Sequence, residues 1–165
     1  MFTDDKGDYM KLHNIQILIM RLAIAGLFFS ISLEKYHEGW LTSSEHLLES
    51  LNGYHKEATG TQLTYLNTVA VPYVGLWTKL ITIGELSLAV SLFTGLLVRF
   101  SAAAGIFMIL NFHAANGNLF SLHFFGTPWG ALLIAGLFVM LLARAGRWAG
   151  IDALLAKSNA KGMFW

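Results

Sequence analysis

VPYVGLWTKLITIGELSLAVSLFTGLLV, residues 71–98, is long enough to cross a bilayer and carries only two charges, Lys79 and Glu85. A membrane-spanning helix needs about 20 apolar residues. Lys79 precedes Glu85 by roughly 9 Å of helix and sits nearer the end of the stretch, so it can snorkel to the interface. Glu85 is too deep to do so. A carboxylate at that depth is expensive and is rarely kept without a partner or a task.

Three more apolar stretches lie around it, at residues 15–33, 101–115 and 128–145. Thr127 reads as the N-cap of the last and Pro128 as its first helical residue. The third and fourth are short for a span, which implies extension or a locally thinned bilayer. The predicted fold is therefore all-α: an integral membrane four-helix bundle over residues 15–145.

Composition agrees. The 165 residues are 55% hydrophobic and 13% charged, about half the roughly 25% charge of soluble domains. A net charge of +1, with no basic tract, argues against a nucleic-acid partner. The chain has no cysteine. That removes thiol chemistry, thiolate metal sites and cysteine-ligated iron–sulfur clusters, and no flavin or nucleotide motif is present. Of six histidines, none has a histidine partner at i+4 on a helix or in a short H-x-H pair. No metal is expected, and haem or pigment binding is disfavoured.

Charge outside the spans sets the orientation. Lys6, Lys11, Arg99, Arg144, Arg147, Lys157 and Lys161 fall on one side; Lys35 and Lys56 fall on the other. This bias puts both termini in the cytoplasm. Residues 1–14 form a polar tail, and the first apolar run carries Arg21 and ends in Glu34 without a small-residue cleavage site. It reads as a retained span rather than a signal peptide.

The outer face then carries one long loop, residues 34–70, acidic and rich in histidine and aromatics. Thr42-x-x-Glu45 predicts a capping box for a short helix closed by Asn52-Gly53, and residues 61–71 read either as a second short helix or as the lead into the second span. A connection this long is usually functional or disordered, and Trp40, Tyr54 and Tyr65 favour a packed cap. Residues 146–165 place Trp148, Ile151, Leu154 and Leu155 at helical spacing among basic residues, the pattern of an amphipathic cytoplasmic helix at the interface. LFTGLLVR (92–99) and LFVMLLAR (137–144) match at five of eight positions, consistent with two parallel helical hairpins.

Thr78, Thr82, Glu85 and Ala89 follow 4-3-4 spacing, a small and polar stripe that should face the bundle. Ser101, Gly105, Met108, Asn111 and Ala115 make a similar face on the third span. Close packing through small residues accounts for such stripes without any ligand. Glu85 still needs a cation or several donors if ionised, and Arg21 is a candidate cation. Side chains lean toward their helix N-terminus, however, so in antiparallel spans Arg21 and Glu85 lean apart. A neutral, hydrogen-bonded Glu85 and a snorkelling Arg21 are the alternatives.

A second cluster forms at the outer interface, where Glu34, Lys35, His113 and His123 can meet in the half of the membrane that also holds Lys79. Such donors, with Phe112, Phe120, Phe124, Phe125 and Trp129 as an aromatic slot, suit a quinone ring, which needs donors to its carbonyls and a proton route. An ordinary interfacial belt of polar and aromatic residues would look the same.

Arg21-x-x-x-x-Gly26 running to Glu34-Lys35, then Gly84-Glu85, Gly95-x-x-x-Arg99 with the small residues 102–105, and finally Arg144-x-Gly146-Arg147-x-x-Gly150-x-Asp152, resemble in order and spacing the DoxX family. These are four-helix membrane proteins related to the DoxD subunit of thiosulfate:quinone oxidoreductase. The resemblance covers about residues 16–155. The chain departs from the pattern at Leu88-Ala89 and at Ser32, where glycine is common, and its outer loop is longer than that of many members.

The resemblance implies a bacterial or archaeal cytoplasmic-membrane protein that contacts quinone within a redox, thiosulfate- or sulfur-linked, complex. It places Glu85, Arg21, Glu34, Lys35 and Arg99 at motif positions, with Arg144, Arg147 and Asp152 as structural charges. Glu85, Glu34 and Lys35 are then the candidates for proton and quinone chemistry. His113, His123, Trp129 and Lys79 are the candidates for binding quinone or lipid. The competing expectation is a non-catalytic accessory or assembly subunit that holds other membrane or extracytoplasmic subunits through loop 34–70. Solute transport would need a continuous polar path, which the apolar inner halves of spans three and four oppose.

Overall fold

The computed structural model describes residues 5–119 and 121–158, with side chains for these apart from 5–10, 128, 129 and 158. The described residues are helical or irregular, with no strand among them. Helix α1 runs Asp5–His37, so the helix begins ten residues before the predicted span and takes in most of the expected polar tail, while its membrane-length apolar part is Lys11–His37. Helices α4 (Val74–Thr94) and α5 (Val98–Ala115) follow the outer segment. These three helices are long and apolar enough to cross a membrane.

The fourth apolar segment is shorter. A π-helical turn at Pro128–Leu132 leads into α7, Leu133–Ala143, and Gly130 interrupts the helix with φ −88 and ψ −117. Thr127 stands at the N-cap in extended conformation with Pro128 behind it, but its hydroxyl makes no cap bond.

Helix α1 packs most extensively on α4 and α5 on α7, while α4–α5 and α1–α7 contacts close the ring. That pairing is what two helical hairpins would give. The centre is apolar: Ala25, Ala89, Leu92, Ala102, Leu137 and Met140 are fully buried. The outward faces remain apolar. Leu76, Leu80, Ile83 and Val90 on α4, and Phe100 and Phe107 on α5, are all more than half exposed. Exposed apolar area on this scale marks a surface that meets something other than water.

The loop at 34–70 forms α2 (Glu45–His55), α3 (Gly60–Tyr65) and a π-helical turn at Leu66–Ala70. Leu47 and Leu51 turn inward onto Leu66, Ala70 and Ile81 in a second apolar cluster. The expected capping box does not form. Ser44 is the N-cap of α2, and the Thr42 hydroxyl donates instead to the Gly39 carbonyl, 2.9 Å away, because the chain makes a tight turn at Gly39 (φ +77) first. Asn52 and Gly53 lie inside α2 rather than closing it. Of the predicted aromatic cap, Trp40 and Tyr65 are half-buried and Tyr54 is exposed.

Helix α8 (Ile151–Ser158) lies within the predicted amphipathic tail, but it is tied down. Asp152 is buried, and its carboxylate accepts from the Leu97 N–H (2.7 Å) and the Val98 N–H (3.0 Å), capping α5.

Candidate functional site

Two clusters of buried charge divide the molecule, one near each end of the helices. The first is structural. Arg21 is 1% exposed and does not snorkel. Its guanidinium donates to the carbonyls of Ala145 (2.7 Å), Ala149 (2.8 Å) and Trp148 (3.3 Å), in the segment where the chain leaves α7. A planar fork of donors suits several carbonyls at once in a way an ammonium does not. Asp152 supplies the neighbouring negative charge.

Gly95 ends α4 in the left-handed region (φ +69), and its Cα faces Gly150 so closely that a Cβ on Gly95 would stand 2.6 Å from the Gly150 Cα. Arg99 Nε donates to the Leu141 carbonyl at 3.1 Å. Arg144, exposed, caps the end of α7 with φ +49, and Arg147 is half-buried beside this turn. The motif residues Arg21, Gly95, Arg99, Gly150 and Asp152 thus belong to one clamp between helix ends.

The second cluster is a buried ion pair beside a cavity. Lys35 Nζ lies 2.5 Å from Glu85 Oε1, joining α1 to α4. Glu85 is 2% exposed, and the stripe predicted with it is buried as well: Thr78, Thr82 and Ala89. The two threonines do not reach Glu85. Each hydroxyl donates back to the carbonyl four residues earlier, Val74 for Thr78 and Thr78 for Thr82. The partner of Glu85 is therefore Lys35, and not Arg21, a threonine or Asn111. Lys35 also lies over the rings of Trp40 (5.0 Å) and Phe112 (5.4 Å), within cation–π range.

Glu85 Oε2 is buried and has no hydrogen-bond partner among the described residues. An unmade bond at a buried carboxylate is costly and calls for an explanation. The pair stands on the wall of a cavity of about 390 Å³, with His113, Asn116 and Thr127 on the same wall and Glu34, exposed, also lining it. His113 is buried on α5, its ring edge-on to Phe124 at 4.9 Å. Phe28, Ile31 and Lys35 follow i, i+3, i+7 on α1, while Ile109, Phe112 or His113, and Asn116 keep the same helical register on α5.

The structure thus merges Glu85 with the outer cluster of Glu34, Lys35 and His113. It leaves out two candidates. His123 is exposed on the short helix α6 (His123–Gly126) and does not line this cavity. Lys79 is exposed on the outward face of α4, beside Leu76, Leu80 and Ile83. The Trp129 side chain and Phe120 lie outside the described residues. Phe124 and Phe125 pack edge-on to one another at 5.4 Å, with Phe125 exposed.

Phe28, Ile31 and Thr127 were not anticipated as lining residues. The first two could have been found from their helical spacing with Lys35. Thr127 is brought in by the turn at Pro128, for which the sequence carries no long-range signal. Among the described residues, no group of three histidine, aspartate or glutamate side chains comes together as a metal site.

Comparison with protein-family models, with curated proteins and with solved structures found no match.

Proposed function

We propose that this chain is a quinone-interacting subunit of a redox complex in a bacterial or archaeal cytoplasmic membrane. In this reading it is a four-helix bundle of the DoxX type, with the Arg21 end toward the cytoplasm and the Lys35 end outward. The observation that carries the reading is the Lys35–Glu85 pair beside a cavity, with Glu85 Oε2 left without a partner. A quinol hydroxyl would donate to that oxygen. A quinone carbonyl would accept from the ammonium hydrogens of Lys35 that Glu85 does not use, since an ammonium has three. Phe28, Ile31 and Phe112 give the ring an apolar bed.

Reduction of a quinone consumes two electrons and two protons. Glu85 and His113 are the groups on the wall that can hold and pass protons. The electrons would come from a partner subunit carrying a redox centre, because this chain has no flavin motif and no cysteine. Glu85→Gln removes the charge and keeps the shape. It should lower quinone affinity and quinone-linked turnover in a chain whose helical content is unchanged. Wild-type affinity in that variant sinks the reading.

The residues that carry the family resemblance fall into two groups. Glu85 and Lys35 form the buried pair, and Arg21, Gly95, Gly150 and Asp152 form the clamp.

A second reading, an accessory subunit that docks partners, is favoured by the outward face of α2. Leu47 and Leu51 point inward there, while Glu45 and Glu49 stay exposed. Reversing both glutamates to lysine should then abolish co-purification with a partner. A chain that purifies alone with quinone bound counts against it.

A further inference from the structure

A second cavity, of about 300 Å³, opens between α4 and α5 on the other side of Phe112. Its mouth is framed by Leu80 and Phe107, both more than half exposed, and by the small residues Gly84 and Ala104. Leu47 and Leu51 of α2 also line it. A Cβ on Gly84 would meet only the Met108 sulfur, at 3.7 Å, so the gap comes from small residues and not from a packing fault.

The polar groups on this wall are already paired. Tyr65 Oη donates to Asn111 Oδ1 at 3.0 Å, Asn111 Nδ2 to the Phe107 carbonyl at 2.7 Å, and Trp77 Nε1 to the Val69 carbonyl at 2.9 Å. The lining is otherwise apolar, so it suits hydrocarbon and offers a polar head little. The mouth lies on the apolar face that α4 and α5 present outward, so what reaches it is a chain lying in the bilayer.

Among the described residues, Phe112 alone lines both cavities. Glu85 borders the polar one and its neighbour Gly84 the apolar one. We infer that the α4–α5 cavity holds the hydrocarbon chain of the same ligand whose head lies against Lys35 and Glu85, with Phe112 as the wall around which the two parts bend. The inference rests on the head site proposed above and adds a requirement: the ligand is a tailed quinone, selected by its chain as well as its ring.

The test compares two quinones of identical ring, one with a decyl tail and one without, binding to the full chain in lipid nanodiscs. Both concentrations are expressed per lipid, because a tail already in the bilayer gains nothing from leaving water; close packing of the tail in the cavity should still tighten binding severalfold. Ala104 is exposed on α5, so Ala104→Phe fills the mouth without disturbing the core. It should erase the gain from the tail while the tail-less ring binds as before. Gly84→Ala narrows the same space from α4 and should erase part of the gain.

If Glu85→Gln weakens both quinones but neither cavity variant changes the gain from the tail, the chain site is wrong and the head site stands. A wild-type chain that binds the two quinones equally also overturns it, since the cavity then takes only bulk lipid. If Glu85→Gln changes neither affinity, the head site falls and the inference falls with it.

Discussion

Lys35 and Glu85, fifty residues apart in sequence, meet at 2.5 Å where α1 crosses α4, and the second oxygen of the carboxylate is left facing no donor. Desolvating two charges costs about as much as their attraction returns, so a buried pair is weak evidence for stability and better evidence for a task. Losing one partner is another matter, because it strands the other. Lys35→Met should destabilise the protein by about 3–5 kcal/mol. The double variant Lys35→Met with Glu85→Leu should regain most of that loss. Reversible unfolding in mixed micelles gives the cycle. Additive single effects would show that the two side chains are not coupled.

Tyr65 offers a pH-dependent readout beside the apolar cavity. Burial pushes its phenol above the ordinary value of 10.0, and the protonated form donates to Asn111. A group whose folded value is raised adds stability that is complete below the unfolded value and is lost as pH rises through the folded one. Wild-type stability should therefore fall above about pH 10 more steeply than that of Tyr65→Phe. Parallel pH profiles would mean that the phenol is not held by this environment.

Much of this was legible from the chain. Three membrane-length helices followed from apolar length, while the fourth apolar stretch gave only a shorter helix; the inward stripe of Thr78, Thr82, Glu85 and Ala89 followed from 4-3-4 spacing. The partner of Glu85 was missed, although the rule that set Arg21 aside points to it. Side chains lean toward their helix N-terminus, so in antiparallel α1 and α4 Lys35 leans inward and Glu85 leans outward, each toward the other. Treating Lys35 as part of a surface belt hid the pair. The roles of Arg21 and Asp152 were not legible, because they depend on the chain after α7 folding back beneath α4, a long-range event without local periodicity. The inward turn of Leu47 and Leu51 depends in the same way on how α2 meets α4.

Asp152 should prove more important than its place in a short terminal helix implies. It caps two N–H groups at the start of α5, and Val98 there is fully buried. Asp152→Ala leaves both donors unpaired and removes the charge beside Arg21. Loss of an N-cap costs roughly 0.5–2 kcal/mol, and the nearby guanidinium should bring the effect to the upper end. Asp152→Asn keeps an acceptor and should fall between. Limited proteolysis should then cut within residues 146–158 of Asp152→Ala well before it cuts the wild type. Equal rates would mean that α8 is held by something else.

Gly95 and Gly26 are both motif glycines, and the structure predicts opposite outcomes for replacing them. Gly26 lies within α1, where an added Cβ meets nothing within 4 Å. Gly26→Ala should be neutral or stabilising by up to about 1 kcal/mol, since alanine is the better helix former. Gly95 has φ +69, and its Cβ would fall 2.6 Å from the Gly150 Cα and 2.9 Å from Arg21 Nη1. The left-handed conformation alone costs a non-glycine residue roughly 1–2 kcal/mol. The contact with Gly150 is backbone against backbone and cannot be relieved by a rotamer change. Relief at Nη1 would pull Arg21 off the Ala145 carbonyl. Gly95→Ala should therefore cost at least about 3 kcal/mol, more than strain alone explains, and should loosen the Arg21 clamp. Thermal unfolding of the two variants in the same detergent decides it: a Gly95→Ala protein as stable as Gly26→Ala would mean that α8 does not pack against the end of α4.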